Sequence, residues 1–175
     1  LGSVDTNTIG FTIGPRINAA GRLDHADIAL ELMLTQDPAR ATEIVEELES
    51  FNLERRELTE KTLQQTLSEI PSPLPPLIIL GKEGFNPGVI GLVAGRISEQ
   101  FGVPVAVFSV NNGQVMGSCR SRSDFHWADA LEQCEDLLIR HGGHAQAAGF
   151  TCLVDNINEL AIRLETIATE MQNNA

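Results

Sequence analysis

Apolar positions along this chain change rhythm between its first and second halves. In HADIALELMLT (25–35), Ile28, Leu32 and the Leu30/Met33/Leu34 set recur at helical spacing. The next segment, DPARATEIVEELESFNLERRELTEKTLQQTLSEIPSPLPP, opens with Asp37 as a candidate N-cap and Pro38 at the first helical position. Ile44, Leu48, Phe51, Leu58, Leu63, Leu67 and Ile70 then form a drifting apolar stripe that Pro71 ends. The pattern predicts one helix of about 33 residues, about 50 Å long. That length suits a connector between two folded bodies; two helices broken near FNLERR are the alternative.

PSPLPP (71–76) reads as a stiff linker that cannot be helix interior. After it come short, wholly apolar runs. PLIILG (76–81) and VPVAVFSV (103–110) read as buried strands flanking a helix over 87–102, PGVIGLVAGRISEQFG. NNG (111–113) is a hairpin turn that brings QVMGSCRS (114–121) back as a strand. FHWADALEQCEDLLIRH (125–141) is predicted as an amphipathic helix ended by Gly142 and Gly143. FTCLV (150–154) is a strand and NINELAIRLETIATEMQ (156–172) a closing helix. The alternation predicts an α/β fold, a mixed sheet flanked by helices and preceded by the long connector helix.

Composition narrows the picture. The hydrophobic share of 42% and charged share of 21% are those of a globular domain, and 175 residues can bury a core without staples. No run of about 18 apolar residues exists, so no membrane span or membrane partner is expected. The start, LGSVDTNTIGF, lacks the basic and apolar regions of a signal peptide and does not begin with Met, which reads as an excised fragment or processed product. Cys119, Cys134 and Cys152 are widely spaced and odd in number, pointing to free thiols in a reducing compartment, the cytoplasm. The net charge of −12 argues against a wholly basic nucleic-acid surface. The acids concentrate between Asp24 and Glu60, however, leaving room for an anion site elsewhere.

Four stretches could form such a site. IGPRINAAGR (13–22) reads as a glycine-punctuated loop before a helix, projecting Arg16, Asn18 and Arg22; its arginines could equally pair with the acids downstream. FNPGVIGLVAGR (85–96) places glycines at a helix start, where free N–H groups attract anions, or where small residues simply allow close packing. In GSCRSR (117–122) a strand end displays Ser118, Arg120 and Ser121, and the period of two puts Ser118 and Arg120 on one face. In RHGGHAQAAGF (140–150), His144 stands among small residues that clear space around it. His141-x-x-His144 has no accompanying carboxylate or cysteine cluster, so no metal is expected there.

Together IGPRINAAGRL, the long helix with NLERRE, NPGVIGLVAGRI, GSCRS and RHGGHAQAAGF resemble, in order and rough spacing, the RecJ family of single-strand-specific 5′→3′ exonucleases, in the DHH phosphoesterase superfamily. The resemblance implies that residues 1–36 are the tail of a catalytic domain, 37–71 the connector helix and 72–175 a DHH-associated, substrate-binding domain. It implies a role in DNA repair and recombination. The family's metal site uses an Asp-His-His motif and further aspartates upstream; here LDHADI offers only Asp24-His25-Ala26. No cofactor is therefore expected in this fragment, and Mn²⁺ or Mg²⁺ belongs with the missing catalytic domain, its partner in cis. The implied ligand is single-stranded DNA with a 5′-phosphate. Ser118 and Arg120, with Ser121, would bind that phosphate, Arg16 or Arg22 would add a second cation, and His144, with Gly142 and Gly143, would face the scissile region. Asn86 departs from the family's usual His. Alternatives are the same domain from a phosphodiesterase of oligonucleotides or cyclic dinucleotides, and a non-enzymatic protein-interaction module built on the acidic helix.

Overall fold

The computed structural model describes residues 4–23, 26–122 and 125–173. The chain divides into two compact units, Leu1–Leu58 and Thr59–Ala175.

The first unit is helical. A single turn, α1 (Thr6–Thr8), is capped by Asp5, whose carboxylate accepts from the Thr8 amide at 2.7 Å. A π-helical segment, Ile9–Ile13, leads into α2 (Gly14–Leu23), followed by α3 (Asp27–Leu34) and α4 (Pro38–Leu67). IGPRINAAGR is thus not a loop: from Gly14 it is helix. Its alanines decide this, because Ala20 packs with Ala29, Ile44 and Leu48 in a small core where short side chains let helices approach closely. The long helix runs unbroken through FNLERR for 30 residues. Asp37 accepts from the Ala39 amide at 2.9 Å, the cap its position predicted.

The second unit is a five-stranded mixed sheet in the order β1-β2-β3-β5-β4. β1 (Ile78–Glu83) runs parallel to β2 (Val105–Asn111) across helix α5 (Pro87–Phe101), a βαβ crossover. β3 (Gln114–Arg120), β5 (Ala147–Leu153) and β4 (Leu138–Gly143) add antiparallel pairings. The NNG turn forms as expected: Asn112 and Gly113 both take positive φ, 49° and 75°.

Two cores sandwich the sheet. On one face Ile78, Val105 and Val107 meet Ile90, Val93 and Ile97 of α5 and Leu63 of α4. On the other, Ala106, Val115, Cys119, Phe150 and Cys152 meet α6 (Trp127–Glu132) and α7 (Ile157–Asn173) through Trp127, Leu131, Leu160 and Leu164.

The predicted helix over 125–141 is corrected. It stops at Glu132, passes through a 3₁₀ turn at Glu135–Leu137 and becomes β4. Trp127, Ala130, Leu131 and Cys134 do carry helical spacing and are buried, but beyond them the backbone pairs with β5 instead. Gly142 and Gly143 therefore lie in an edge strand and cap no helix.

All three cysteines are buried free thiols. Burial pushes the Cys119 and Cys134 thiols up, opposed weakly by Arg120 and Arg163, and pushes Cys152 up to about 11. The folded state thus retains protons that the unfolded chain releases near pH 9. Stability from this source is full below that pH and falls as pH rises through 9 toward 11. Native protein at about pH 8 is expected to resist Ellman's reagent and to titrate three thiols after guanidinium unfolding. Rapid labelling of any one in the folded protein would contradict this burial.

Candidate functional site

Helix α5 packs over β2 and β3, and beside it the same face of the sheet carries an open groove. Ser118 on β3 stands opposite Gly149 on β5, which stands opposite Gly142 on β4. This row of one hydroxyl and two glycines floors an open groove of about 350 Å³. Pro87 and Ile90 at the start of α5 wall one side, and Met116, Thr151, Arg140 and His141 line the rest.

Ser118 and Arg120 sit side by side, as the strand period requires. Arg120 Nη1 donates to Ser118 Oγ at 3.1 Å and to the Cys119 carbonyl at 2.7 Å. Gly91 on α5 makes room for both. A Cβ there would stand 2.8 Å from Ser118 Oγ and 2.9 Å from Arg120 Nη2. Gly95, one turn on, faces the Arg120 stem, its Cβ position 4.0 Å from Cγ. These helix glycines are thus packing residues, and what they admit is an arginine rather than sheet backbone. Asn86 caps α5, its side-chain oxygen accepting from the Gly88 amide at 2.7 Å.

The hairpin joining β4 to β5 holds the small-residue run HGGHAQAAG. The His144 amide donates to the Ala147 carbonyl at 2.8 Å, closing the turn. The Trp127 amide donates to Ala145 O at 2.9 Å and the Ser121 amide to Gln146 O at 3.0 Å, so the turn is braced from two neighbours. Gly143 has φ 142°, and a Cβ there would meet Ala148 Cα at 2.4 Å. Glycine is required because two strands close on each other, not because a helix ends. His144 is exposed at the tip and does not line the groove; His141 does.

The other expected contacts lie elsewhere. Ser121 is buried, its hydroxyl donating to the Phe125 carbonyl at 3.0 Å. Arg16 and Arg22 belong to α2 in the first unit. Arg16 pairs through Nε with Glu49 and donates from Nη1 to Thr12 O at 2.7 Å, the pairing with downstream acids that the sequence left open. Arg22 borders a second cavity with Ile17, Asn18 and Met33. From sequence, Gly149 reads as one of the small residues that clear space around His144; Arg140 reads only as part of a helix end, and Thr151 is not singled out.

Charge favours anions in the groove. None of its lining residues is acidic although the chain carries −12. Among the described residues no group of three or more His, Cys, Asp or Glu side chains is placed to hold a metal ion, and Asp24-His25 lie outside the described residues. Among the same residues no helix is long and apolar enough to cross a membrane.

Residues 74–170 match the family model of the DHHA1 domain. The chain is 33% identical over 172 residues to the single-stranded-DNA-specific exonuclease RecJ of Bacillus subtilis and 44% identical over 142 residues to that of Thermus thermophilus. It aligns over 96% and 81% of its own length but spans only 22% and 21% of theirs. Its fold superposes on the crystal structure of Thermus thermophilus RecJ in complex with Mn²⁺ with a TM-score of 0.87 at 39% identity, covering 93% of this chain and 24% of that one.

Proposed function

This chain belongs to the DHHA1 domain family, and from that premise we propose that it is the substrate-gripping part of a RecJ-like 5′→3′ exonuclease acting on single-stranded DNA. The observation that carries the reading is the convergence of Ser118 and Arg120 beside an acid-free groove, in space that glycine at residue 91 leaves for both side chains. A guanidinium and a hydroxyl held 3.1 Å apart offer donors to two oxygens of one terminal phosphate. The glycine floor lets the adjoining sugar lie against backbone.

In this reading residues 1–36 end a DHH catalytic domain, 37–71 connect it, and 72–175 bind the strand, with Arg16 or Arg22 supplying a further cation and His144 meeting the scissile region from the hairpin tip. The Thermus RecJ structure holds Mn²⁺, and the relatives are far longer than this chain. Among the described residues no group of three or more His, Cys, Asp or Glu side chains is placed to hold such a metal, and in this reading it belongs to the catalytic domain in cis.

The 175-residue chain is expected to bind 5′-phosphorylated single strands weakly and with strong salt dependence, and to cleave none with Mn²⁺ or Mg²⁺. Arg120→Ala is expected to weaken binding by about tenfold or more, the loss of a charge-assisted contact. Fluorescence anisotropy measures it; affinity unchanged by this substitution places the phosphate elsewhere. Robust metal-dependent hydrolysis by the purified chain would defeat the assignment of catalysis to another domain.

A further inference from the structure

The groove continues past the Ser118–Arg120 pair to Arg140 and Thr151, which the sequence alone does not assign as contacts. β4 carries a register irregularity between Leu138 and Arg140, with Leu138 opposite Cys152 and Arg140 opposite Thr151. Leu138 packs against the core on the α6–α7 face. In a regular strand Arg140, two residues on, would share that face. The extra residue, Ile139, reverses the alternation, so Arg140 emerges on the opposite face and lines the groove. Its Nε donates to Thr151 Oγ1 at 3.1 Å, which fixes it over β5.

Its electrostatic setting differs from that of three other arginines of the sheet unit, which contact acids. Arg96 pairs with Glu60, Arg122 with Glu99, and Arg163 with Asp136 and Glu159. Among the described residues Arg140 has no carboxylate partner; a neutral threonine hydroxyl orients it instead. A cation turned by a bulge onto a glycine-floored groove, and left without a counter-charge, is built to receive an anion from outside.

Position tells which anion. Arg120 is held over the row of Ser118, Gly149 and Gly142, whereas Arg140 is held at the next row of its face, with Thr151. The rows are about 7 Å apart along the strands, and β5, over which Arg140 is held, lies one interstrand spacing of about 4.8 Å from β3. The two positions are thus about 8 Å apart, wider than the spacing of two oxygens on one phosphate. Resting on the function proposed above, we infer that Arg140, with Thr151, forms a second subsite that takes an internal phosphodiester of the strand whose 5′-terminal phosphate sits at Ser118 and Arg120. The floor between the two is bare backbone at Gly149 and Gly142, and Met116 and Ile90 present apolar surface beside it.

The experiment compares two probes, thymidine 5′-monophosphate and a 5′-phosphorylated dodecathymidylate, on the 175-residue chain carrying Arg140→Gln, Arg140→Lys or Arg120→Gln. Arg140→Gln is expected to weaken the dodecamer about tenfold, to lower the slope of log affinity against log salt by about 0.7, and to leave the mononucleotide unchanged. Arg140→Lys keeps the charge and is expected to retain the slope. Arg120→Gln weakens both probes. If Arg140→Gln leaves dodecamer affinity and salt slope intact while Arg120→Gln does not, the second subsite is wrong and the first stands. If Arg140→Gln weakens the mononucleotide as much as the dodecamer, Arg140 serves the terminal phosphate and the inference fails. If the unaltered chain binds neither probe, or Arg120→Gln changes neither, the underlying reading falls and this inference falls with it. Arg140 is exposed, and circular dichroism of each variant checks that the fold is retained.

Discussion

Trp127→Ala is expected to lower the unfolding free energy by about 3–5 kcal/mol, the largest stability loss of any single truncation in the sheet unit. The indole is fully buried and meets Phe125 edge-to-face, ring centroids 4.9 Å apart and planes at 75°. Removing it opens a cavity between α6 and the sheet, in a domain whose whole stability is about 5–15 kcal/mol. The effect reaches the groove, because the Trp127 amide anchors Ala145 in the β4–β5 turn. Trp127→Phe separates the contributions. Among the described residues the indole Nε1 has no hydrogen-bond partner, so phenylalanine loses volume but also removes an unsatisfied donor. Urea titration is expected to place Trp127→Phe well above Trp127→Ala; equal losses from the two would contradict ring packing as the source of the stability.

Gly91→Ala is expected to act in the opposite sense, sparing the fold and damaging the site. A Cβ at residue 91 meets the ends of two side chains, Ser118 Oγ at 2.8 Å and Arg120 Nη2 at 2.9 Å, and no backbone. Those ends can move aside at small cost, and alanine is favoured over glycine inside a helix by about 1 kcal/mol. Melting temperature should therefore hold or rise slightly. Both proposed phosphate donors are displaced at once, so affinity for a 5′-phosphorylated strand should fall about a hundredfold, about 2.7 kcal/mol. A variant that melts early yet binds normally would show that residue 91 serves packing alone. Gly117 supplies the contrast: a Cβ there lies 2.2 Å from the buried Phe150 ring, and no flexible end can yield.

The Ser118–Arg120 pair was readable because a strand's period of two needs no knowledge of the partner strand. The same holds for the Asp37 cap, the Asn112–Gly113 turn and helix α5, each decided within a few residues. The sheet itself followed from apolar runs too short for helices and bounded by turn residues. Where local signals competed, reading failed. GPRINAAGRL has loop punctuation at Gly14, Pro15 and Gly21, yet Ala20 finds a core of Ala29, Ile44 and Leu48, and burial overrides the glycines. LLIRHGG continues a helical stripe on paper, yet its backbone completes the edge of the sheet.

Chain-local chemistry thus determined most of the elements, the α/β class and the pairing of Ser118 with Arg120 on one strand face, since helix caps, tight turns and strand faces are set by residues a few positions apart. Tertiary structure decided the rest. That α5 carries glycine where Ser118 and Arg120 arrive, that RHGG is strand rather than helix end, and that one extra residue at Ile139 turns Arg140 from the core to the groove all depend on which backbone pairs with which. Pairing of distant segments leaves no periodic trace in the sequence of either one, so those features appear only when the sheet is assembled.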